Sequence, residues 1–168
     1  MYYAIREGLR RFNIPHNFEL VLVNQLYAQW IREGRLKVDP SWNKDGQKFI
    51  FHDSCNHVRK GLGDKAADDA RFVVKACVGE ENFVDPWPNK SNGYCCGGGG
   101  GIQQTPHKNE RFLYGKKKFD QIVGSKADVC ITACHNCHSQ IAQLSQHYGG
   151  NYKAYHLWTL IMKALVVE

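Results

Sequence analysis

Apolar residues follow one period in the first part of the chain and another in the rest. Residues 17–33 carry apolar side chains at helical spacing, which predicts an amphipathic helix that ends near Gly34. Residues 39–46 are rich in turn-forming residues and predict a loop. We therefore expect residues 1–46 to form a helical segment that packs on the domain that follows or on neighbouring proteins.

From residue 47 onward, short apolar runs alternate with helical stretches. The predicted strands are residues 48–52, 82–85, 127–132 and 152–155. The predicted helices are about residues 65–78, 107–122 and 135–147, with a last helix ending near residue 166. This alternation is typical of βαβ units. It predicts an α/β domain over residues 47–168, preceded by the N-terminal helices. The sheet of this domain is expected to be open, mostly parallel and Rossmann-like, with about four strands and with helices on both faces.

Five of the seven cysteines form one array with the spacing C-x39-CC-x37-C-x2-C. The first follows the first predicted strand, the doublet follows the second, and the C-x2-C pair follows the third. Ligands of open parallel sheets collect at the carboxyl ends of the strands, so we expect all five thiols at one edge. Thiolates are soft ligands for iron-sulfur clusters, zinc and Cu(I). The array therefore favours a metal cofactor held by Cys55, Cys95, Cys96, Cys134 and Cys137 over a metal-free dithiol.

Five consecutive glycines, Gly97 to Gly101, follow the cysteine doublet. This run contains neither a dinucleotide-binding nor a P-loop pattern, which argues against a phosphate site. Glycine lets the backbone approach a bulky cofactor and offers N–H groups to its sulfur atoms. We therefore expect Gly97, Gly98 and Gly99 to border the cofactor.

The other two cysteines and four histidines near the array receive simpler interpretations. Cys77 and Cys130 lie inside a predicted helix and a predicted strand and are interpreted as buried apolar residues. The histidines are interpreted as hydrogen-bonding groups around the site, because five thiols already suffice as ligands. They are His52, His57, His135 and His138. Of these, His135 and His138 are the candidate proton donors.

Charge and composition limit the partners. The formal net charge is +6, and its densest cluster is Lys116 to Lys118 with Arg111 on one predicted helix. This cluster is interpreted as a solvated helix face or a docking site for an acidic protein. No second C-x2-C and no aromatic-basic RNA signature occurs, so we expect no nucleic acid partner. The apolar stretch 157–167 is too short to span a bilayer. We expect a cytoplasmic protein without direct membrane insertion.

Three segments carry a family resemblance: FHDSC at 51–55, YCCGGGGG at 94–101 and CITACHNC at 130–137. They resemble the cysteine-rich CCG domain of heterodisulfide reductase B-type subunits and their relatives, over about residues 48–160. Among those relatives, the DsrK subunit of the sulfite-reductase-associated membrane complex is the closest resemblance. Two departures, Ser54 in place of a common proline and a slightly longer last spacer, concern loop geometry more than cofactor binding.

The resemblance implies a [4Fe-4S] cluster, noncubane where all five cysteines ligate it, with the array cysteines as ligands. Zinc or an apo site would be its substitute in an isolated fragment. The implied activity is that of an oxidoreductase that transfers electrons to a disulfide or trisulfide, on a thiol substrate or a small protein such as DsrC.

Relatives usually carry ferredoxin-type cysteine motifs that this chain lacks. We therefore expect a part of a longer protein, or a subunit fed by ferredoxin-type or membrane quinone-linked subunits. Through those subunits the chain would lie at the periphery of a membrane. Two alternatives remain open: a non-catalytic zinc or iron-sulfur module for electron relay or docking in a dehydrogenase complex, and a metal-free dithiol oxidoreductase.

Overall fold

In a computed structural model, which describes residues 2–167, the chain forms a four-stranded parallel sheet flanked by helices. The strands are β1 (Phe49–His52), β2 (Phe83–Val84), β3 (Val129–Thr132) and β4 (Lys153–His156). Their order in the sheet is β2-β1-β3-β4, and every neighbouring pair is parallel. The predicted α/β fold class is confirmed.

In the described part of the chain, six α-helices accompany the sheet. They are α1 (Tyr2–Arg11), α2 (Val23–Arg32), α3 (Asp64–Val78), α4 (Lys108–Gly124), α5 (His135–Tyr148) and α6 (Leu157–Ala164). A π-helical turn, Val58–Leu62, follows β1, and short 3-10 turns occupy Pro40–Trp42, Glu80–Asn82, Lys90–Asn92 and Ile102–Gln104. Within residues 2–167, no helix combines the length and the apolar character needed to cross a membrane.

The two central strands are buried on both faces, as expected for a parallel sheet covered by helices. Alternate side chains reach opposite faces. Phe49 and Ile131 join the core formed with α3, α6 and Ala28 of α2. Ile50 and Cys130 join a second core with residues of α4 and α5. Helices α2, α3 and α6 therefore cover one face, and α4 and α5 cover the other.

Helix α2 begins six residues later than the apolar pattern predicts. Residues 17–22 are not helical, and Phe18 is 53% exposed. The helix starts after Leu22, whose N–H donates to the Gln25 side chain at 3.1 Å, so this side chain caps the first turn. The apolar stripe predicts an earlier start because spacing alone does not show where the backbone hydrogen bonds begin.

One face of α4 also differs from the expectation. Arg111 and Lys118 are 5% and 2% exposed, so they do not belong to a solvated basic face. They lie seven residues apart on the stripe that also holds Gly115 and Ile122, and this stripe faces the core. Within the basic triplet, Lys117 is exposed, Lys116 is half-buried and Lys118 is buried. The interpretation of these residues as one solvated cluster is wrong, because it does not take the helical phase of each charge into account.

The strand order places a crevice between β1 and β3. The chain passes from β1 to β2 on one side, and then returns across β1 to β3 and β4 on the other. In open parallel sheets, this reversal opens a crevice at the carboxyl ends of the two strands, where ligands bind. The cysteine array lies at this crevice.

Candidate metal centre

All five cysteines of the array line one cleft at the carboxyl ends of β1 and β3. Cys55 follows β1, the Cys95–Cys96 doublet lies in the loop before α4, and the C-x2-C pair opens α5. The cleft encloses about 420 Å³ of space that no atom fills, part of which is open to solvent. Segments far apart in the chain therefore bring their thiols to one place, as the spacing predicts.

The cysteines differ in depth within the cleft. Cys96 and Cys137 are 3% and 4% exposed, and their Sγ atoms are 3.3 Å apart. Cys55 and Cys134 are half-buried, and Cys95 is exposed. A disulfide would need about 2.05 Å between the sulfur atoms, so the inner pair are free thiols in contact. The array thus has a buried inner pair and an accessible outer rim.

His52 completes the inner end of the cleft. It is the last residue of β1 and is 2% exposed. One of its ring nitrogens lies within 4.8 Å of the Cys96 and Cys137 sulfur atoms. Its Nδ1 finds no hydrogen-bond partner among residues 2–167. Imidazole nitrogen and thiolate sulfur are common metal ligands, and these three donor atoms lie close enough together to hold one ion. The residues present therefore fit a metal–sulfur group.

The glycines after the doublet allow the loop to pack tightly and to donate to sulfur. The N–H of Gly97 lies 3.3 Å from Cys95 Sγ, and the N–H of Gly98 lies 3.4 Å from Cys96 Sγ. Gly97 has φ +83, and a Cβ there would lie 2.5 Å from the Arg111 carbonyl oxygen. Gly99 lines the cleft itself. The first two glycines are needed for close approach, and the N–H groups favour thiolate at both cysteines.

Contacts among the thiols lower the pKa of Cys96 and Cys134 and raise the pKa of Cys95 and Cys137. The Cys137 thiol, followed by the backbone N–H groups of Cys137 and Asn136 at the start of α5, lowers the pKa of Cys134 to about 6. Hydrogen bonds from the Cys137 and Cys95 thiols and from His52 hold the pKa of Cys96 far below its usual range. Metal ligands must be deprotonated, so these two thiols are prepared for that role.

The two cysteines outside the array are placed differently. Cys77 lies in α3 and Cys130 in β3, and both are almost fully buried. Burial raises the pKa of each thiol to about 12. Neither is among the residues that line the cleft. Both therefore behave as small apolar residues.

A buried ion network fixes the end of β1. Arg71 of α3 donates to both carboxylate oxygens of Asp53, at 2.8 and 2.9 Å, and also bonds to Asp85. Asp53 lines the cleft and accepts the backbone N–H of Lys90 at 2.7 Å. This network is absent from the expectations drawn from the sequence. Asp53 lies inside the FHDSC segment, but nothing in the sequence shows that Arg71 reaches it.

Ser54 has a role of its own at this strand end. Its Oγ lies 3.2 Å from Thr132 Oγ1, which joins the end of β1 to the end of β3. A proline at this position, common in the family that the sequence resembles, has no hydroxyl to make this bond. The departure therefore alters how the two strand ends are tied and leaves the cysteines in place.

His135 and His138, the candidate proton donors, lie beside the cleft and not in its lining. The His138 ring nitrogen Nε2 lies 3.1 Å from the Ala154 carbonyl oxygen. Both rings stack on His156, with centroids 5.5 and 4.0 Å away. Of the histidines flagged in the sequence, His52 is the one whose ring lines the cleft. A proton-donating role for His135 or His138 stays a prediction.

The fold and this cleft define a class: an α/β domain that gathers cysteines at a sheet crevice for a metal–sulfur site. Residues 49–142 match the family described as CCG, cysteine-rich domain. Because this match covers more than half of the chain, the chain belongs to that family. The CCG cysteine-rich domain predicted from the three motif segments is confirmed, and its heterodisulfide reductase B-type character stays a prediction.

Two relatives have names that indicate redox activity. The "EtfAB:quinone oxidoreductase" of Syntrophomonas wolfei is 29% identical over 132 residues, which are 75% of this chain and 17% of the relative. One subunit of the "Fumarate reductase (CoM/CoB)" of Methanothermobacter marburgensis is 31% identical over 115 residues, which are 68% of this chain and 22% of the relative. The chain thus spans about a fifth of the length of these relatives. Neither relative carries the name DsrK, so that narrower resemblance stays a prediction.

Proposed function

We propose that this chain is the iron-sulfur electron-transfer domain of an oxidoreductase, with a [4Fe-4S] cluster held by Cys55, Cys95, Cys96, Cys134 and Cys137. The single observation that carries the proposal is the convergence of all five thiols in one cleft. The naming of both relatives as redox enzymes supports it. Those names give different reaction partners, so electron transfer is the function that they share.

The five cysteines would have different roles according to their depth in the cleft. Cys96 and Cys137 are the buried anchors, while Cys55, Cys95 and Cys134 form the rim that solvent and partners reach. The N–H groups of Gly97 and Gly98 donate to the doublet sulfurs. When bound, an iron-sulfur cluster supplies storage and transfer of single electrons.

The accessible rim is the side on which a substrate would meet the site. We propose a disulfide or trisulfide as the substrate class, carried by a small thiol or a DsrC-like protein. Reduction of a disulfide takes two electrons and two protons and yields two thiols. The electrons would come from a partner redox subunit, either ferredoxin-type or quinone-linked. The exposed position of Cys95 beside an open cleft supports this choice.

Anaerobic reconstitution tests the cluster. Wild-type protein should contain iron and sulfide in nearly equal amounts and give an EPR signal after one-electron oxidation or reduction. Serine at Cys96 or Cys137 should lower bound iron several-fold. Cys77→Ser is the matched control, because that cysteine is buried outside the cleft, and it should retain its iron. Zinc alone, or equal iron loss in Cys77→Ser, would count against the proposal.

Addition of a disulfide tests the substrate class. If the site acts on disulfides, the EPR or visible spectrum of the reduced cluster should change when an oxidised thiol compound is added. Cys95→Ser should weaken this response more than it weakens cluster content. An unchanged spectrum would restrict the domain to electron relay.

A second candidate function is a zinc module for docking or electron relay. The observation that favours it is the approach of His52, Cys96 and Cys137 to within 4.8 Å, because nitrogen and thiolate ligands are the usual donors for zinc. Metal analysis of protein purified without oxygen separates the two functions. Stoichiometric zinc that resists replacement by iron and sulfide would favour this candidate.

The third candidate is a metal-free dithiol oxidoreductase, for which the lowered pKa of Cys134 at the start of α5 is the favouring observation. In that case Cys134→Ser alone abolishes activity and Cys55→Ser is tolerated. If a cluster is required, both variants impair its assembly.

A further inference from the structure

Lys118 on α4 is a buried cation without a carboxylate partner. The residue is 2% exposed, and its Nζ lies 2.5 Å from the Gln121 side-chain oxygen. Among the residues that the structure describes, no aspartate or glutamate forms an ion pair with it. Lysine is almost never fully buried unless it is paired, and an uncompensated buried charge is costly. Its counter-charge must come from elsewhere in the core.

The stripe of α4 that holds Lys118 is directed at the cysteine site. One turn earlier on this stripe, Gly115 packs so closely that a Cβ there would lie 2.6 Å from the Cys96 carbonyl oxygen. One turn before that, the Arg111 carbonyl oxygen would lie 2.5 Å from a Cβ on Gly97. Residues 111, 115 and 118 share one face of the helix. Lys118 therefore lies on the buried face of α4 that packs, one turn earlier, against the Cys95–Gly98 loop.

Four acidic groups interact with Lys118 through charge: those of Cys130, Asp53, Cys96 and Cys137. Burial lowers the pKa of Lys118, and these groups oppose that effect. Three of them cannot be its main partner. The Asp53 carboxylate is already held by Arg71, and the raised pKa values of Cys130 and Cys137 keep both as neutral thiols. Cys96, whose pKa is held far below its usual range and whose loop packs against this face of α4, remains.

We propose that Lys118 is the buried counter-ion of the metal–sulfur centre, and that its ammonium group raises the reduction potential of that centre. The inference rests on the proposed iron-sulfur function. Thiolates and cluster sulfides bring net negative charge into the cleft, and net charge is one of the determinants of a cluster's potential. Reduction adds one more negative charge, so a fixed cation nearby stabilises the reduced form more than the oxidised form. Lys118 acts through the field that it creates and is a tuning residue, not a ligand.

Redox titration of the reconstituted full chain, followed by EPR, tests the proposal. Lys118→Met removes the charge and keeps an unbranched side chain that is one atom shorter. At a fixed potential, the ratio of reduced to oxidised cluster should fall at least tenfold, which equals 59 mV for a one-electron couple. Lys117→Met is the matched control, because Lys117 is the adjacent exposed residue of the same helix. It should change the ratio less than twofold, with iron content unchanged.

A second variant keeps the proposal testable if Lys118→Met fails to fold. Gln121→Glu places a carboxylate of the same shape beside the ammonium group and should lower the reduced fraction in the same direction. If Lys118 serves packing alone, both variants alter thermal stability and leave the potential unchanged, which overturns the proposal. A wild-type chain that assembles no iron-sulfur centre overturns this proposal together with the proposed function. If the iron-sulfur centre assembles and its potential is the same in the variants as in the wild type, the counter-ion proposal alone is overturned.

Discussion

Arg71 lies on α3 with its guanidinium group between two carboxylates, one of which lines the cysteine cleft. The Arg71 and Asp53 side chains are 7% and 2% exposed, so their charges depend on each other. Asp85, the other carboxylate, is 43% exposed and remains hydrated. Removing one member of a buried pair leaves the other charge without compensation. The network therefore links the stability of the fold to the position of the residues after β1.

We expect Arg71→Met to lower the free energy of unfolding by about 3–5 kcal/mol, because Asp53 then stays buried and unpaired. Urea denaturation measures this. Lys75→Met on the same helix is the control. It breaks a partly exposed pair with Glu80 and should cost about 1 kcal/mol or less. Equal losses in the two variants would show that the network adds no more than a surface ion pair.

Protonation of His156 makes the stability of the folded chain depend on pH. Its ring stacks on Trp158 at 3.8 Å, and its Nδ1 has no hydrogen-bond partner among residues 2–167. Burial, followed by the charges of His138 and His135, lowers the pKa of His156 to about 4. Between pH 6.5, the ordinary value for histidine, and about 4, the unfolded chain binds a proton that the folded chain does not. Stability contributed by this residue is therefore lost as pH falls through that window.

His156→Phe should flatten the decline in apo-protein stability between pH 6.5 and 4, because phenylalanine keeps the stack and cannot take a proton. Thermal melts at several pH values give the slope. The exposed His16, changed to Gln, serves as the control and should leave the slope unaltered. A wild-type slope in His156→Phe would mean that other groups determine the acid sensitivity.

The packing of α4 on the cysteine loop depends on a glycine inside the helix. Gly115 costs helix stability relative to alanine, but a Cβ there would lie 2.6 Å from the Cys96 carbonyl oxygen and 2.8 Å from a Leu144 methyl group. The gain in close packing outweighs the loss in propensity. Nothing in the sequence marks this position, since the contact joins segments that are separated along the chain.

Gly115→Ala should destabilise the protein by about 1–3 kcal/mol, as expected for overpacking of a tight contact. It should also reduce iron bound after reconstitution, because the loop that carries Cys96 must shift. Gly124→Ala, near the end of the same helix, is the matched control, since no atom lies within 4 Å of its added Cβ. Equal stability of Gly115→Ala and Gly124→Ala would contradict the proposed need for close packing at Gly115.

The element boundaries show what the pattern of residues can predict. Strand β1 is predicted at 48–52 and spans Phe49–His52, and α5 is predicted at 135–147 and spans His135–Tyr148. These elements have strong periodicity and clear ends. The predicted start of α2 and the predicted outward direction of the α4 cations are wrong, because both depend on tertiary contacts. For the same reason the cysteines can be assigned by type and spacing, whereas Lys118 and Arg71 cannot.

Across the whole chain, the N-terminal segment divides between a loosely attached part and a part of the core. No residue of α1 from Tyr2 to Arg11 is buried. In α2, Ala28 is fully buried, and Asn24 donates to the Ala66 carbonyl oxygen at 2.7 Å. Trp42 donates from its indole nitrogen to the Cys77 carbonyl oxygen, also at 2.7 Å. The predicted division at residue 46 stays a prediction, and these contacts favour an earlier one.

Two truncations test where the folding unit begins. Removal of residues 1–19 should shift the melting temperature by no more than about 4 °C, which corresponds to about 1 kcal/mol for a domain of this size. Removal of residues 1–46 exposes the face of α3 that α2 covers, and cooperative unfolding should be lost. Calorimetry distinguishes the outcomes. A cooperative transition in the shorter protein would support the division at residue 46.

The first glycines of the Gly97–Gly101 run are closely packed, and the next two have open space around them. Gly97 and Gly98 are held against α4 and α5, whereas a Cβ on Gly99 or Gly100 would meet no atom within 4 Å. Exposed tips made of small residues are preferred sites of proteolytic cleavage. A chain with an empty cleft would offer this strip to proteases, and a filled cleft would shield it. Limited digestion could therefore serve as a gauge of cofactor loading.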